Sequence, residues 1–202
     1  MKTRILFAAA AILAWMGAAA AAADLEPGSP APDFTLPDTD GQIHTLSAYE
    51  GKVVVLEWTN PDCPFVKKHY DSRNMQSLQA QFKARGVVWL SVCSSAPGKQ
   101  GHSSAADWNA ILETTGSRAS ALLLDPEGRT GRAYGAKTTP HLFVIDAQGR
   151  VAYHGAIDDK PSTKASDIPE ARPYLAEALE AVLAGIPVPV ARTTPYGCSV
   201  KY

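Results

Sequence analysis

Cys63 stands in the run Glu57-Trp58-Thr59-Asn60-Pro61-Asp62-Cys63-Pro64-Phe65-Val66-Lys67. The residues before it form a continuous apolar, β-branched stretch (Val53, Val54, Val55, Leu56), as expected for a strand covered on both faces. The residues after it have helical spacing, and Pro64 suits the first turn of a helix, where a missing N–H costs nothing. A thiol at such a junction meets the unpaired N–H groups of the helix start, which favour an anion. Lys67 lies one turn further on and adds positive charge. An ordinary cysteine has a pKa of about 8.5, and this setting lowers it, so Cys63 is read as a nucleophilic thiolate. Glu57 shares a strand face with Val53 and Val55, and raised by burial it would accept protons near the thiol.

A thiolate that cycles needs a partner. The chain has three cysteines. Cys93 follows a second apolar run at 87–92, and in a parallel pair it would emerge on the same sheet edge as Cys63. Cys198 lies in a tail without a helical stripe, reached through the extended Pro187-Val188-Pro189. A Cys63–Cys198 bond would close a loop worth about 5 kcal/mol on chain-entropy grounds. An external thiol is the third option. Cys63 and His69 are six apart and do not share a helix face, and His44, His102 and His154 read as solvated.

The elements that position these groups follow from pattern. Apolar segments at 34–36 and 43–46 flank Asp38-Thr39-Asp40-Gly41 as a hairpin. One long helix is expected over 64–85, with Tyr70, Met75, Leu78 and Phe82 facing the core and Gly86 as its stop. Ser104, with Asp107 three residues on, starts a further helix. Short strands follow at 122–124, 142–145 and 151–153, the last two joined by a turn, and a final helix spans 173–184. The fold class is therefore α/β, a mixed sheet with helices on both faces.

Residues 1–23 read as an export signal: Lys2 and Arg4, then an apolar stretch, then small residues through Ala21-Ala22-Ala23. Residues 24–184 form one domain, and 185–202 an extended C-terminal tail carrying Cys198. Eleven of the alanines lie in the first segment, so the 46% apolar fraction overstates the rest of the chain. The net charge of −1 becomes −3 once Lys2 and Arg4 are removed, which argues against a nucleic-acid surface. No other run is long enough to span a bilayer. The expected location is periplasmic or extracellular, where disulfides persist.

Val-Val-Val-Leu-Glu-Trp, Pro-Asp-Cys-Pro-Phe-Val and Thr139-Pro140 before an apolar strand together resemble the thioredoxin superfamily. The match is to its exported redoxin group, labelled alkyl hydroperoxide reductase/thiol-specific antioxidant, and it covers roughly 27–183, including the N-terminal hairpin. The resemblance implies a thioredoxin-like fold with Cys63 as nucleophile and Glu57 at the place of the buried acidic residue. It implies Pro140 as a cis-proline facing the thiol, so that Thr139, Pro140 and Pro64 contact substrate. It requires no cofactor. Partners would be a disulfide or peroxide substrate, protein or small molecule, and a thiol reductant. Two departures matter. Val66 stands where thioredoxins have their second cysteine, and Asn60 and Leu56 stand where peroxiredoxins have Thr or Ser and Pro. The resolving thiol is then Cys198, Cys93 or external. The alternative is a non-catalytic module binding a peptide or, through Cys63, His141 and Cys198, a copper or zinc ion.

Overall fold

The computed structural model describes residues 25–202; the expected export signal at 1–23 lies outside the described residues. The strands are β1 (Thr35–Pro37), β2 (Ile43–Thr45), β3 (Val54–Trp58), β4 (Val88–Cys93), β5 (Ala121–Leu124), β6 (Thr138–Thr139), β7 (His141–Ile145), β8 (Val151–Gly155) and β9 (Cys198–Ser199). The helices are α1 (Pro64–Asp71), α2 (Asn74–Lys83), α3 (Ala105–Thr115), α4 (Arg129–Ala133) and α5 (Tyr174–Leu183).

Five strands form the central sheet in the order β5-β4-β3-β7-β8. β3, β4 and β5 run parallel; β7 is antiparallel to β3, and β8 to β7. This is the mixed sheet that the pattern implies. Alternation along β3 sends Val54, Leu56 and Trp58 to one face and Val55 to the other. Val55 packs with Tyr70, Met75 and Phe82 of α1 and α2 and with Leu175 and Leu179 of α5. Leu56 and Trp58 pack with Tyr134 and with Phe34 and Leu46 of the N-terminal hairpin. α3 covers the β5 side through Trp108, against Cys93 and Leu122.

The β1–β2 hairpin is pinned by Asp38. One carboxylate oxygen accepts from the N–H groups of Asp40 and Gln42, each at 2.9 Å, and the other meets His44 Nε2 at 2.8 Å. His44 is thus buried, contrary to the solvated reading, because the turn carboxylate and the Tyr49 hydroxyl engage both ring nitrogens. His154 is also buried, stacked on Phe143 with centroids 5.5 Å apart. His102 is exposed.

The expected single helix over 64–85 is two. Arg73 adopts the left-handed conformation (φ +63°) between α1 and α2. The Tyr70 carbonyl, freed at the break, accepts from the Arg73 N–H at 3.1 Å and the Gln76 side-chain amide at 2.9 Å. Apolar spacing could not reveal the break, because Tyr70, Met75 and Phe82 all reach the same core across it. A left-handed L-residue costs about 1–2 kcal/mol, so Arg73→Gly is expected to raise stability by about 0.5–1 kcal/mol in chemical denaturation, part of the relief being lost to the freer unfolded chain.

Glu57 is fully buried in β3. Its carboxyl accepts from Tyr70 Oη (2.9 Å), Trp89 Nε1 (2.8 Å), Ser91 Oγ (3.2 Å) and Gln79 Nε2 (3.3 Å). Burial pushes its pKa up to about 7 against these donors, which favour the carboxylate. Between pH 4.5 and 7 the folded chain therefore keeps this proton while the unfolded chain releases it. Stability falls with rising pH across that window by about 3 kcal/mol and levels off above it. Glu57→Gln should remove that slope when urea unfolding is compared from pH 4.5 to pH 8.

Candidate active site

β3 ends at Trp58, and the turn through Asn60 delivers Cys63 to the head of α1. The Asn60 side chain accepts from the Asp62 N–H (2.9 Å), and its backbone carbonyl accepts from the Cys63 N–H (3.1 Å). Gly101 lies so close that a Cβ there would sit 2.5 Å from the Asn60 amide, so the 94–103 loop braces this turn. Cys63 is the N-cap of α1 and Pro64 its first residue. The Cys63 side chain is wholly buried, and its thiol donates to the Thr139 carbonyl at 3.0 Å. The Thr139–Pro140 peptide bond is cis.

The tail reaches the same place. β9 pairs antiparallel with β6, with Cys198 opposite Thr139 and Ser199 opposite Thr138. Since the Thr139 carbonyl also receives the Cys63 thiol, this register sets the two cysteine side chains beside each other. Both thiols are free and Cys198 is half-buried. Gly197 makes the approach possible: a Cβ there would fall on the Thr139 carbonyl oxygen.

The two sulfurs differ electrostatically. Burial opposes ionisation of Cys63. The thiol and N–H of Cys198, Thr139 and the Val66 N–H at the helix start outweigh it, and the Cys63 pKa lies below the ordinary value. Cys198 is pushed up, first by burial and then by its neighbour Cys63, with Lys201 opposing. Lys67, expected to assist the thiolate, is exposed, and the groups that dominate this balance are others.

Cys93 is elsewhere. It packs against Trp108 and Leu122, donates to the Gly101 carbonyl at 3.4 Å, and burial raises its pKa. Glu57 does not join the thiols either, since none of its four hydrogen-bond partners is a cysteine. His141 is buried with its Nδ1 accepting from the Lys137 N–H (3.3 Å), and burial lowers its pKa to about 3. Among the described residues, no group of three or more His, Cys, Asp or Glu is placed to hold a metal ion.

A polar cluster holding the tail escaped the sequence reading. The Tyr196 hydroxyl donates to Asp158 at 2.5 Å and lies 3.2 Å from His69 Nε2. Asn74 donates to His69 Nδ1 at 2.9 Å, so Nε2 carries the proton and points it at the Tyr196 oxygen. Lys68, with its side chain fully buried, lies 3.7 Å from Asp158, donates to the Lys160 carbonyl (2.9 Å) and faces the Tyr196 ring. Burial brings the His69 pKa down to about 4, against the pull of Asp158. These residues are dispersed in sequence apart from the adjacent Lys68-His69 pair, which was the signal available on a buried helix face.

Comparison with known proteins adds lineage to this geometry. Residues 27–154 match the model of the AhpC/TSA family. The thiol-disulfide oxidoreductase ResA of Geobacillus thermodenitrificans is 28% identical over 124 residues, covering 61% of this chain and 66% of that protein's length. Among solved structures, an uncharacterised conserved protein from Geobacillus kaustophilus superposes with a TM-score of 0.75 at 24% identity, over 89% of this chain and 94% of that one. A Chlorobium tepidum protein assigned as a thiol:disulfide interchange protein DsbE superposes with a TM-score of 0.59 at 28% identity, over 79% of this chain and 99% of its own. The family match stops at residue 154, short of Cys198, while the mixed sheet with flanking helices is that of thioredoxin-fold proteins. The chain belongs to the AhpC/TSA family and has a thioredoxin-like fold.

Proposed function

We propose that the protein is an exported thiol–disulfide oxidoreductase in which Cys63 and Cys198 cycle between dithiol and disulfide. The observation that carries this reading is the shared Thr139 carbonyl, which receives the Cys63 thiol and faces Cys198 across the β6–β9 ladder. With the tail in place the second thiol need not come from a Cys-x-x-Cys motif, and Val66 ceases to be an obstacle.

Cys63, the more easily ionised sulfur, attacks an oxidised substrate, and Cys198 then attacks the sulfur of Cys63 to close the internal disulfide. An external thiol reductant returns the pair to the dithiol. Expulsion of Cys63 in that return step is favoured, because a leaving thiolate of low pKa departs faster. Pro64 starts the helix whose N–H groups steady the thiolate, while Thr139 and Pro140 form the wall against which substrate meets Cys63. Glu57 acts at a distance, as a buried proton holder tied through Tyr70 to the helix that Cys63 caps. Export is supported by the Lys2/Arg4 start, the apolar stretch and the small residues at 21–23, and it supplies a compartment in which a disulfide persists.

Mass-spectrometric mapping of the oxidised protein is expected to find one Cys63–Cys198 bond with Cys93 free. Cys63→Ser should abolish turnover, whereas Cys198→Ser should lower it about a hundredfold and accumulate Cys63 linked to the substrate or the reductant. Thiolate absorbance of the reduced protein should rise below the ordinary range of about pH 8.5, and that step should vanish in Cys63→Ser. A Cys93-linked product, or full turnover in Cys198→Ser, would refute the assignment.

A further inference from the structure

In a thiol–disulfide enzyme of this topology, an extended polypeptide can approach the nucleophile by pairing with the backbone beside the cis-proline. Here β9 is already paired with that backbone. Thr138 and Thr139, the residues before Pro140, have Ser199 and Cys198 as ladder partners.

The occupant is fastened on both sides. Upstream, the Thr193 N–H donates to the His154 carbonyl (3.1 Å), and the Thr193 hydroxyl accepts from the Ala156 N–H (2.9 Å) and meets Tyr153 Oη at 2.7 Å. Tyr196 is locked to Asp158 and packs against Phe65, two residues after Cys63. Downstream, the Val200 N–H donates to the Lys137 carbonyl (3.1 Å), and the Ala96 N–H donates to the Lys201 carbonyl (2.8 Å). Tyr202 donates to the Ala136 carbonyl (2.8 Å) beneath the Arg132 guanidinium. Its ring fills a slot that side chains at Gly128 and Gly131 would obstruct.

We infer that the docked tail is a selectivity gate that restricts Cys63 to compact oxidants, a hydroperoxide or a low-mass disulfide, and bars extended polypeptide disulfides. The inference rests on the Cys63–Cys198 cycle proposed above. A polypeptide would have to strip β9 from β6 against both sets of anchors. A compact oxidant needs no strand-pairing edge, only a passage to buried Cys63 beside half-buried Cys198. With a hydroperoxide, the Cys63 thiolate takes the terminal oxygen, giving a sulfenic acid and, after one proton is gained, an alcohol or water. Cys198 then displaces hydroxide, which leaves as water, and the disulfide forms. With a low-mass disulfide, Cys63 forms a mixed disulfide and expels one thiolate, and Cys198 attacks the Cys63 sulfur and expels the second. Each route removes two electrons from the protein thiols.

The test uses the full chain, reduced, in single turnover against three oxidants: hydrogen peroxide, bis(2-hydroxyethyl) disulfide and unfolded ribonuclease with scrambled disulfides. The gate predicts that Cys63–Cys198 bond formation with at least one compact oxidant exceeds that with the polypeptide by about a hundredfold or more. Gly197→Val and, separately, Tyr202→Ala, each of which loosens the tail while keeping all three cysteines, should raise the polypeptide-to-compact rate ratio by about tenfold. Comparable wild-type rates with the polypeptide and the compact oxidants overturn the gate while leaving the Cys63–Cys198 cycle intact. So does an unchanged ratio in a variant whose tail is freed by limited proteolysis criteria. If neither variant folds, the wild-type ratio alone decides. Absence of the Cys63–Cys198 bond with every oxidant refutes the cycle itself.

Discussion

The Cys63 thiol donates to the Thr139 carbonyl across 76 residues of sequence separation, and most of the surrounding architecture serves that one contact. The carbonyl sits immediately before a cis-proline, at the point where the chain turns into the antiparallel strand β7 beside β3. β3 in turn sets the start of α1 and hence the position of the sulfur. The same carbonyl is approached by Gly197 and lies in the ladder that presents Cys198. Cys63, the Thr139–Pro140 peptide and Cys198 therefore meet at one backbone group, held by the strands β3, β6 and β9.

Three cysteines in one small domain end up with three chemical characters through their surroundings alone. Cys63 gains N–H and S–H donors and becomes the more acidic sulfur. Cys198, beside it and partly open to solvent, becomes the less acidic one. Cys93, packed on Trp108 with only a carbonyl to donate to, is a small apolar side chain in effect. Glu57 shows the same logic applied to a carboxyl. Four donors satisfy its oxygens in a place with no cation, so solvent exclusion governs its titration.

The sheet and the placement of Cys63 were legible because each had a local signature: β-branched runs for β3 and β4, Pro64 after Cys63 for the helix start, and Thr139-Pro140 before β7. The break at Arg73 was illegible because a left-handed residue leaves the apolar spacing undisturbed. His44 and His154 were misread as solvated because their burial depends on partners that a residue-by-residue pattern does not pair: Asp38 across the hairpin for His44, and Phe143 on the neighbouring strand for His154. The tail's fate was legible only in part. Its lack of helical pattern and its cysteine pointed to a return across the domain, but the Tyr196–Asp158–His69–Lys68 cluster and the Tyr202 slot draw on residues scattered from 68 to 202. No window of sequence contains them together.

The docked tail also carries a constraint on length. Thr193 and Tyr202 are both fixed to the body of the domain, and from Tyr196 onward alternate side chains (Tyr196, Cys198, Val200, Tyr202) pack against it, so the number of residues in the span is set. Adding or removing a single residue inside that span would turn alternate side chains to the opposite side of the ribbon. Cys198 would then face away from Cys63, and a side chain would meet Thr139 where Gly197 now stands. Exposed positions such as Thr194 and Ser199 are free to vary in chemical type, but the interval itself is not. In this protein, a point deletion in the tail would part Cys198 from Cys63 as surely as replacing the cysteine.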